Sequence, residues 1–214
     1  RTGAAVFAAI LLLELLFSIR GSLPAGALRR ALPPLVYYAM GNAFGVTALV
    51  FVLLPLLEFS FGVASDLTLV ELSDLNHPLM KRLQLEAPGT YHHSLTVATL
   101  AEQAAEAVGA NPLMARVCAY FHDIGKLNQP EYFTENAVHG VNPHDELQPR
   151  LSSLVILNHV RQGIELARRY KLKRPLREVI AQHHGTSLVY YFYRKARDQK
   201  GPEQTVSESE FRYP

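Results

Sequence analysis

The chain has 214 residues, of which 49% are hydrophobic and 19% are charged, a balance that argues against an ordinary soluble protein. The net charge of +2 and the scattered lysines and arginines argue against a face that binds a nucleic acid polymer. The single cysteine, Cys118, excludes an internal disulfide, and its apolar neighbours predict a core position.

The chain divides into two parts of different composition. Up to Glu58 apolar residues predominate, whereas from Asp66 onward the chain carries nearly all of its acidic residues and every histidine. This contrast predicts a membrane part followed by a soluble part. The sequence begins at Arg1 without a methionine and stops at Pro214 without an evident helix end, so we expect a fragment of a longer protein.

Two apolar runs in the first part predict membrane helices. The run 35–57 carries no charge over about 23 residues, which is long enough for a tilted span. The run 4–19, interrupted only by Glu14, covers about 16 residues and fits either a span that starts earlier or a buried or interfacial helix. A signal peptide is disfavoured, because the longer run follows and no small-residue cleavage pattern ends the first.

The segment between these two runs predicts a loop, because Pro33 and Pro34 stand directly before the second run. Arg20, Arg29 and Arg30 lie in this segment, and the positive-inside rule would place it in the cytoplasm. A cytoplasmic soluble part after the second run requires the opposite orientation. Charge alone therefore leaves the orientation open.

After a linker over 59–80, the soluble part predicts helices joined by short loops, and no alternating run indicates a strand. Apolar residues recur at three- and four-residue steps in each predicted helix. Four helices are expected, beginning near Tyr91, at Asn111-Pro112, near Ser152 and at Pro175, with Gly109 ending the first. The predicted fold class is all-α, with transmembrane helices followed by a helical bundle.

A His-Asp pair, His122-Asp123, follows an apolar helix end. A carboxylate there loses much of its hydration unless it is paired or bound to a metal. Four further histidines lie at the ends or on the apolar sides of separate predicted helices, and one shared metal site would satisfy them all: His93, His159, His183 and His184. The remaining histidines stand beside prolines or in predicted loops and are expected on the surface: His77, His92, His139 and His144.

The order of a histidine, a His-Asp pair, a spaced histidine and a histidine pair resembles the HD-domain phosphohydrolases. Longer segments are similar to one branch, the seven-transmembrane HD family, which hydrolyses the bacterial second messenger cyclic di-AMP. The resemblance covers almost the whole chain. The segments that carry it are Leu54-Pro55-Leu56-Leu57-Glu58, Glu71-Leu72-Ser73, Ala87-Pro88-Gly89-Thr90-Tyr91-His92-His93-Ser94, His122-Asp123-Ile124-Gly125-Lys126, Asn142-Pro143-His144-Asp145 and His183-His184-Gly185-Thr186.

This resemblance implies a centre of two divalent transition metal ions, manganese or iron. By position its ligands would be His93, His122, Asp123, His159, His183 and His184, with Asp123 bridging both ions. His93 is assigned rather than His92 because it directly precedes Ser94. The family's pattern includes a further aspartate ligand on a helix beyond Pro214, so the sequence as given is expected to hold one metal weakly.

The implied reaction is hydrolysis of cyclic di-AMP to the linear dinucleotide pApA. A water bridging two metals about 3.5 to 4 Å apart would become hydroxide and attack phosphorus in line. Asp123 and Lys126 are the predicted catalytic residues. Lys126, one turn after the pair, is expected to meet phosphate charge, although capping of the helix C-terminus is the competing interpretation. Tyr91 and Tyr120 are candidates for stacking on adenine, or for the core.

The resemblance also implies an organisation and a location. Residues 1–58 would be the last transmembrane helices of a larger membrane domain, 59–80 the linker, 81–200 the HD phosphohydrolase domain and 201–214 a C-terminal stretch that is cut short. The protein is expected in the cell inner membrane as a multi-pass protein with a cytoplasmic HD domain. Its expected partners are a cyclic dinucleotide and the lipid bilayer, and homo-oligomerisation is left open.

Two further interpretations stay open. The first is an HD hydrolase of another nucleotide, such as cyclic di-GMP, a nucleoside triphosphate or an alarmone; the cyclic di-GMP branch has Gly-Tyr-Pro after its histidine pair, whereas Gly185-Thr186-Ser187-Leu188 follows here. The second is a non-catalytic, metal-stabilised receptor that senses a nucleotide. A transporter is disfavoured, because only Glu14 and Asn42 place polar groups in the apolar runs.

Overall fold

The computed structural model describes residue 12 and residues 27–137, 142–200 and 205–213. These residues form helices and connecting loops, with one isolated β-bridge in the described part, so the predicted all-α fold is confirmed. The chain divides into two compact units, 1–61 and 62–214. Apart from residue 12, the first predicted span lies outside the described residues.

Apart from residue 12, helix α1, Ala27–Phe61, makes up the described part of the first unit. Its segment Val36–Phe61 has 26 residues and is long and apolar enough to cross a membrane, and it includes most of the second predicted span. At the α-helical rise this length is about 39 Å, compared with about 30 Å for the hydrocarbon core of a bilayer. Large apolar side chains such as Phe44 and Phe59 are exposed along it.

The predicted loop at Pro33-Pro34 is wrong, because α1 begins at Ala27 and continues through both prolines. Each proline removes one backbone N–H, and the unbroken apolar run that follows continues the helix. Arg29 and Arg30 therefore lie on the helix rather than in a loop. The orientation of the chain in a membrane stays a prediction.

The second unit begins with two helices, one inside the predicted linker 59–80 and one that starts there and continues past its end. These are α2, Asp66–Leu72, and α3, Pro78–Glu86. Ser65 caps α2 by accepting the N–H of Thr68, and the Nδ1 atom of His77 accepts the N–H of Leu79 at the start of α3. Three apolar side chains of the predicted linker are fully buried in the core, namely Leu69, Leu79 and Met80, and so is Leu83 further along α3.

Two long helices follow, each starting at a proline. Helix α4 is Pro88–Ala107 and begins three residues before the predicted start, since Pro88 occupies its first turn. Gly109 follows it with φ +72°, as expected for a glycine that ends a helix. Helix α5 is Pro112–Phe121, capped by the Asn111 side chain as predicted. Cys118 on α5 is buried, which confirms its core position, and burial raises the pKa of its thiol to about 11.

The rest of the unit alternates short 3-10 helices with α-helices. The 3-10 helices are Ile124–Asn128, Pro130–Tyr132, Thr134–Asn136, Pro143–Glu146 and Glu208–Phe211. The α-helices are α6, Pro149–Arg169, α7, Arg174–Gln182, and α8, Tyr190–Lys200. Helix α6 starts before the predicted Ser152 because Pro149 supplies its first turn, and α7 starts one residue before the predicted Pro175.

The C-terminal residues 205–213 pack onto this helical unit. The N–H of Val189 donates to the carbonyl of Phe211 at 2.8 Å, and the N–H of Tyr213 donates to the carbonyl of Ser187 at 3.1 Å. Both Phe211 and Tyr213 are buried. The compact unit starts at Gly62 and includes the segment 81–200, whose assignment as the HD domain stays a prediction.

Candidate metal centre

Asp123 lies at the centre of the histidine cluster. It follows α5 directly, precedes the 3-10 helix Ile124–Asn128, and is only 3% exposed. Its Oδ2 atom is 3.1 Å from Nε2 of His122. Its Oδ1 atom is 3.4 Å from Nε2 of His159 and 3.5 Å from Nε2 of His183. One carboxylate thus faces imidazole nitrogens on three separate segments.

The backbone fixes the direction of three of these rings. In each, Nδ1 lies at hydrogen-bond distance from the carbonyl three residues earlier: His122 from Ala119 at 2.8 Å, His159 from Ile156 at 2.6 Å and His183 from Ile180 at 3.0 Å. A carbonyl oxygen only accepts, so Nδ1 carries the proton. In the neutral ring the inward-facing Nε2 atom then carries the lone pair, which is the tautomer of a metal-bound histidine.

This arrangement leaves acceptors facing acceptors. The Nε2 atoms of His159 and His183 are 3.4 Å apart. Oδ1 of Asp123 is buried and makes no hydrogen bond to the described residues. Buried acceptors without donors are costly, and a cation placed among them removes that cost. Nitrogen and carboxylate donors suit a divalent transition metal, so the residues fit a metal ion.

The cluster consists of two groups that share Asp123. The first group is Asp123, His159, His183 and His184, and the second is His93, His122 and Asp123. Within each group, one potential ligand atom per residue lies within 4.8 Å of all the others. The structure therefore brings together all six residues predicted as ligands. His93 is exposed, whereas His122, Asp123 and His159 are buried.

The protonation states also suit metal binding. Burial disfavours charge on Asp123, but the imidazoles of His122, His159 and His183 beside its oxygens outweigh it and hold the pKa of this carboxyl well below its usual range. Burial, together with the nearby His183 and His159, lowers the pKa of His184 to about 4. At neutral pH the cluster thus contains an ionised carboxylate and a neutral His184, both able to act as ligands.

Gly125 allows the segment with Asp123 to approach the helix with His159. A Cβ atom at Gly125 would lie 1.8 Å from the carbonyl oxygen of His159 and 2.5 Å from the amide nitrogen of Gly163. Only a residue without a side chain permits this backbone contact. The distance between Asp123 and His159 therefore depends on this glycine.

Lys126 lies beside Asp123 but is not free. Its Nζ atom is 3.0 Å from Oδ2 of Asp123 and 2.6 Å from Oε1 of Glu135, and it lies 4.9 Å from the ring centroid of Phe133. Burial disfavours the charge on Lys126, but the two carboxylates outweigh it and raise its pKa. The predicted phosphate contact of Lys126 stays a prediction. Glu135 was not identified from the sequence, because nothing in its local pattern relates it to Lys126.

Tyr91 and Tyr120 are both buried members of the hydrophobic core. The hydroxyl of Tyr120 accepts the Nε–H of Arg116 at 2.7 Å. These positions favour the core interpretation over stacking on adenine. A third tyrosine, Tyr213, was not identified from the sequence. Its ring stacks on His184, with centroids 4.1 Å apart and 14° between the planes.

The surface prediction for the other histidines is wrong at two positions. His144 is buried; its Nε2 donates to the carbonyl of Tyr132 at 2.8 Å, and its ring lies 4.8 Å from that of Phe192. His77 is half-buried, and its ring centroid lies 5.2 Å from that of Phe121 in an edge-to-face arrangement. Both are held by packing partners that are distant in sequence. His92 is exposed as predicted, and His139 lies outside the described residues.

Comparison with known proteins relates this cluster to a known domain. A family model described as HD domain matches residues 90–209, more than half of the chain. The chain is 49% identical over 173 residues to the cyclic-di-AMP phosphodiesterase PgpH of Bacillus subtilis (strain 168). This match covers 81% of this chain and 24% of that protein. It is 45% identical over 176 residues to PgpH of Listeria monocytogenes serotype 1/2a (strain 10403S). This match covers 82% of this chain and 24% of that protein.

The fold is similar to a solved structure as well. The crystal structure of the L. monocytogenes phosphodiesterase PgpH HD domain in complex with cyclic-di-AMP matches with a TM-score of 0.61 and 46% identity. The match covers 66% of this chain and 64% of that chain. The present chain spans about a quarter of the length of the two curated relatives.

Proposed function

This chain belongs to the HD-domain family, and on that basis we propose that it is a metal-dependent phosphodiesterase that hydrolyses cyclic di-AMP to the linear dinucleotide pApA. The observation that carries the proposal is the cluster of five histidines around Asp123 within the matched region. The relatives named as cyclic-di-AMP phosphodiesterases support the substrate.

We propose that the cluster holds two manganese or iron ions. His159, His183 and His184 would hold one, His93 and His122 the other, and Asp123 would contribute to both. Two groups that share one carboxylate support this assignment. Metal ions bound in such sites act as Lewis acids and lower the pKa of water, which supplies the nucleophile for phosphodiester hydrolysis.

The chain's own residues would orient the reaction. The carbonyls of Ala119, Ile156 and Ile180 hold the proton on the outer nitrogen of His122, His159 and His183, so that the inner nitrogens stay available as donors of lone pairs. Lys126 has three N–H donors, two of which can point to Asp123 and Glu135. The third is the donor that a phosphate oxygen of the substrate would use.

The apolar part supports a membrane protein. The segment Val36–Phe61 is a candidate span, and the resemblance of its exit to the seven-transmembrane HD family supports a multi-pass protein of the inner membrane. We propose that the HD domain faces the cytoplasm, where a nucleotide second messenger would be available.

The proposal can be tested with the full-length protein in detergent. Hydrolysis of cyclic di-AMP and cyclic di-GMP would be followed by chromatography with and without Mn²⁺, beside Asp123→Ala. As a matched control, His92→Ala changes an exposed histidine outside both ligand groups. We expect Mn²⁺-dependent cleavage selective for cyclic di-AMP, lost in Asp123→Ala and kept in His92→Ala.

Other outcomes would separate the alternatives. Metal binding without turnover of either dinucleotide would favour a receptor that senses a nucleotide. Metal-dependent cleavage of cyclic di-GMP, a nucleoside triphosphate or an alarmone in preference to cyclic di-AMP would favour an HD hydrolase of another nucleotide. Cleavage that persists unchanged in Asp123→Ala would reject the proposed metal centre.

A further inference from the structure

The ammonium group of Lys126 is enclosed beside the centre. Two carboxylates approach it, from Asp123 at 3.0 Å and from Glu135 at 2.6 Å, and the ring of Phe133 covers a further side. The Lys126 side chain is only 13% exposed. A buried cation next to a carboxylate that binds metal ions would repel those ions unless its charge is offset. Glu135 supplies the offsetting charge.

Glu135 is itself held by α4, through the same oxygen that contacts Lys126. The hydroxyl of Thr90 donates to Oε1 of Glu135 at 3.0 Å and accepts the Nδ2–H of Asn136 at 2.8 Å. The backbone N–H of Thr90 donates to Oδ1 of Asn136 at 3.0 Å. Thr90 is completely buried, and both roles of its hydroxyl are used. The carboxylate is therefore fixed by a buried network.

Close backbone packing supports this network. A Cβ atom at Gly89 would lie 1.8 Å from the carbonyl oxygen of Glu135, so the start of α4 and the segment Thr134–Asn136 are in direct contact. Thr90 and His93 are three residues apart on α4 and so lie on neighbouring turns of one face. The network thus connects Asp123, through Lys126 and Glu135, to the helix that carries His93.

We propose that Glu135 is a positioning residue for the metal centre: it holds the Lys126 ammonium against Asp123, offsets its charge and fixes the centre to α4. Glu135 acts through Lys126 and is not a ligand. This inference rests on the proposed metal centre. It assigns a role to a segment, Thr134–Asn136, that the ligand pattern does not include.

The test is a double-mutant cycle that measures Mn²⁺ affinity by titration calorimetry and the Mn²⁺ electron paramagnetic resonance spectrum. Glu135→Gln keeps the shape of the side chain but leaves the Lys126 charge without its offset. We expect Mn²⁺ affinity to fall about tenfold. In the Lys126→Met background the same substitution should change affinity by less than about twofold, because the charge that Glu135 offsets is gone.

Two further variants keep the test decisive if Lys126→Met folds poorly. Thr90→Val removes the hydroxyl that holds Glu135 but keeps both charges, and we expect a loss of about threefold. Glu131→Gln neutralises an exposed glutamate in the same part of the chain and should change affinity by less than about twofold.

The outcomes separate this inference from the proposed function. A wild-type protein that binds no Mn²⁺ would reject the proposed function and this inference together. Wild-type binding that is unchanged in Glu135→Gln, or reduced equally with and without Lys126, would overturn only the positioning role. Equal losses in Thr90→Val, Glu135→Gln and Glu131→Gln would overturn it too, since general charge or stability would then be the cause.

Discussion

The two sides of the candidate metal centre differ in how firmly the fold holds them. On the buried side, His159 is 1% exposed and contacts the rings of Phe133 and His184, while Tyr213 stacks on His184. On the open side, His93 is exposed on α4, and its ring lies 5.6 Å from that of His122. Packing holds the first group, whereas the second group includes the exposed His93.

This contrast indicates that one centre can combine a preorganised half with an adjustable half. Ligands held by packing lose little conformational entropy when they bind a metal. An exposed ligand must be ordered on binding, but it leaves room for a substrate to approach. We therefore expect the buried group, Asp123, His159, His183 and His184, to bind its ion more tightly than the group His93, His122 and Asp123.

The largest effect is expected from Asp123→Asn. This substitution should weaken metal binding by both ligand groups and so remove the difference between them. Its carboxylate is shared by the two groups, and an amide is a much weaker ligand. Mn²⁺ affinity should fall more than about 100-fold at both sites, beyond the usual cost of changing an outer residue. Titration calorimetry checks this, with the exposed Asp198→Asn as control. A variant that still binds one ion normally would contradict the shared role.

Gly125→Ala should move the segment that carries Asp123 away from His159 on the buried side, without changing a ligand. The new Cβ atom would meet the carbonyl of His159, so the segment with Asp123 must move away from α6. We expect a loss of about 3 kcal/mol in the free energy of unfolding, the usual range for overpacking against a backbone. Denaturant unfolding measures it. Gly109→Ala, at a glycine with open space around its Cβ, controls for the loss of glycine, although its φ of +72° adds local strain.

A matched pair, His159→Gln and His93→Gln, compares the sides directly. His159→Gln should lower Mn²⁺ affinity by more than about tenfold and also lower the unfolding midpoint, because a buried, packed ring is lost. His93→Gln should affect only the weaker ion and leave the midpoint nearly unchanged. Calorimetry and thermal unfolding provide the two readings. Equal effects of the two variants on both measurements would show that the sides do not differ.

Tyr213→Leu tests the shielding of the buried side. Loss of the stacked ring frees His184 to change its orientation, so we expect Mn²⁺ affinity to fall by about threefold, corresponding to the modest energy of an aromatic pair. Tyr213→Phe keeps the ring and should bind as the wild type does. If Tyr213→Phe weakened binding as much as Tyr213→Leu, the hydroxyl rather than the stack would be responsible.

The smallest expected effect is a change in how the folding stability of the metal-free protein depends on pH, through His184 on the buried side. The pKa of His184 falls from 6.5 to about 4 on folding, mainly through burial. The unfolded chain therefore takes up this proton first, and the contribution of neutral His184 to stability is complete above pH 6.5 and lost as the pH falls towards 4. When the pH falls from 6.5 to about 4, His184→Asn should lose less stability than the wild type in thermal unfolding with EDTA.

Local sequence signals determined much of the fold and the site. The apolar run predicted the long helix, and the proline and glycine positions placed most helix ends within three residues, because caps and breakers act over one turn. The set of six predicted ligands came from the resemblance and from imidazoles on apolar helix faces. Its members are indeed brought together, while their roles as ligands stay a prediction.

Contacts between distant segments were decided only by the tertiary structure. Glu135 faces Lys126, Tyr213 stacks on His184, and His144 is buried against Phe192, although no local pattern in the sequence pairs these residues. Periodicity and caps report the preferences of single helices, since those energies are local. Which side chains meet depends on how the helices pack, and that is settled by burial of the whole core together.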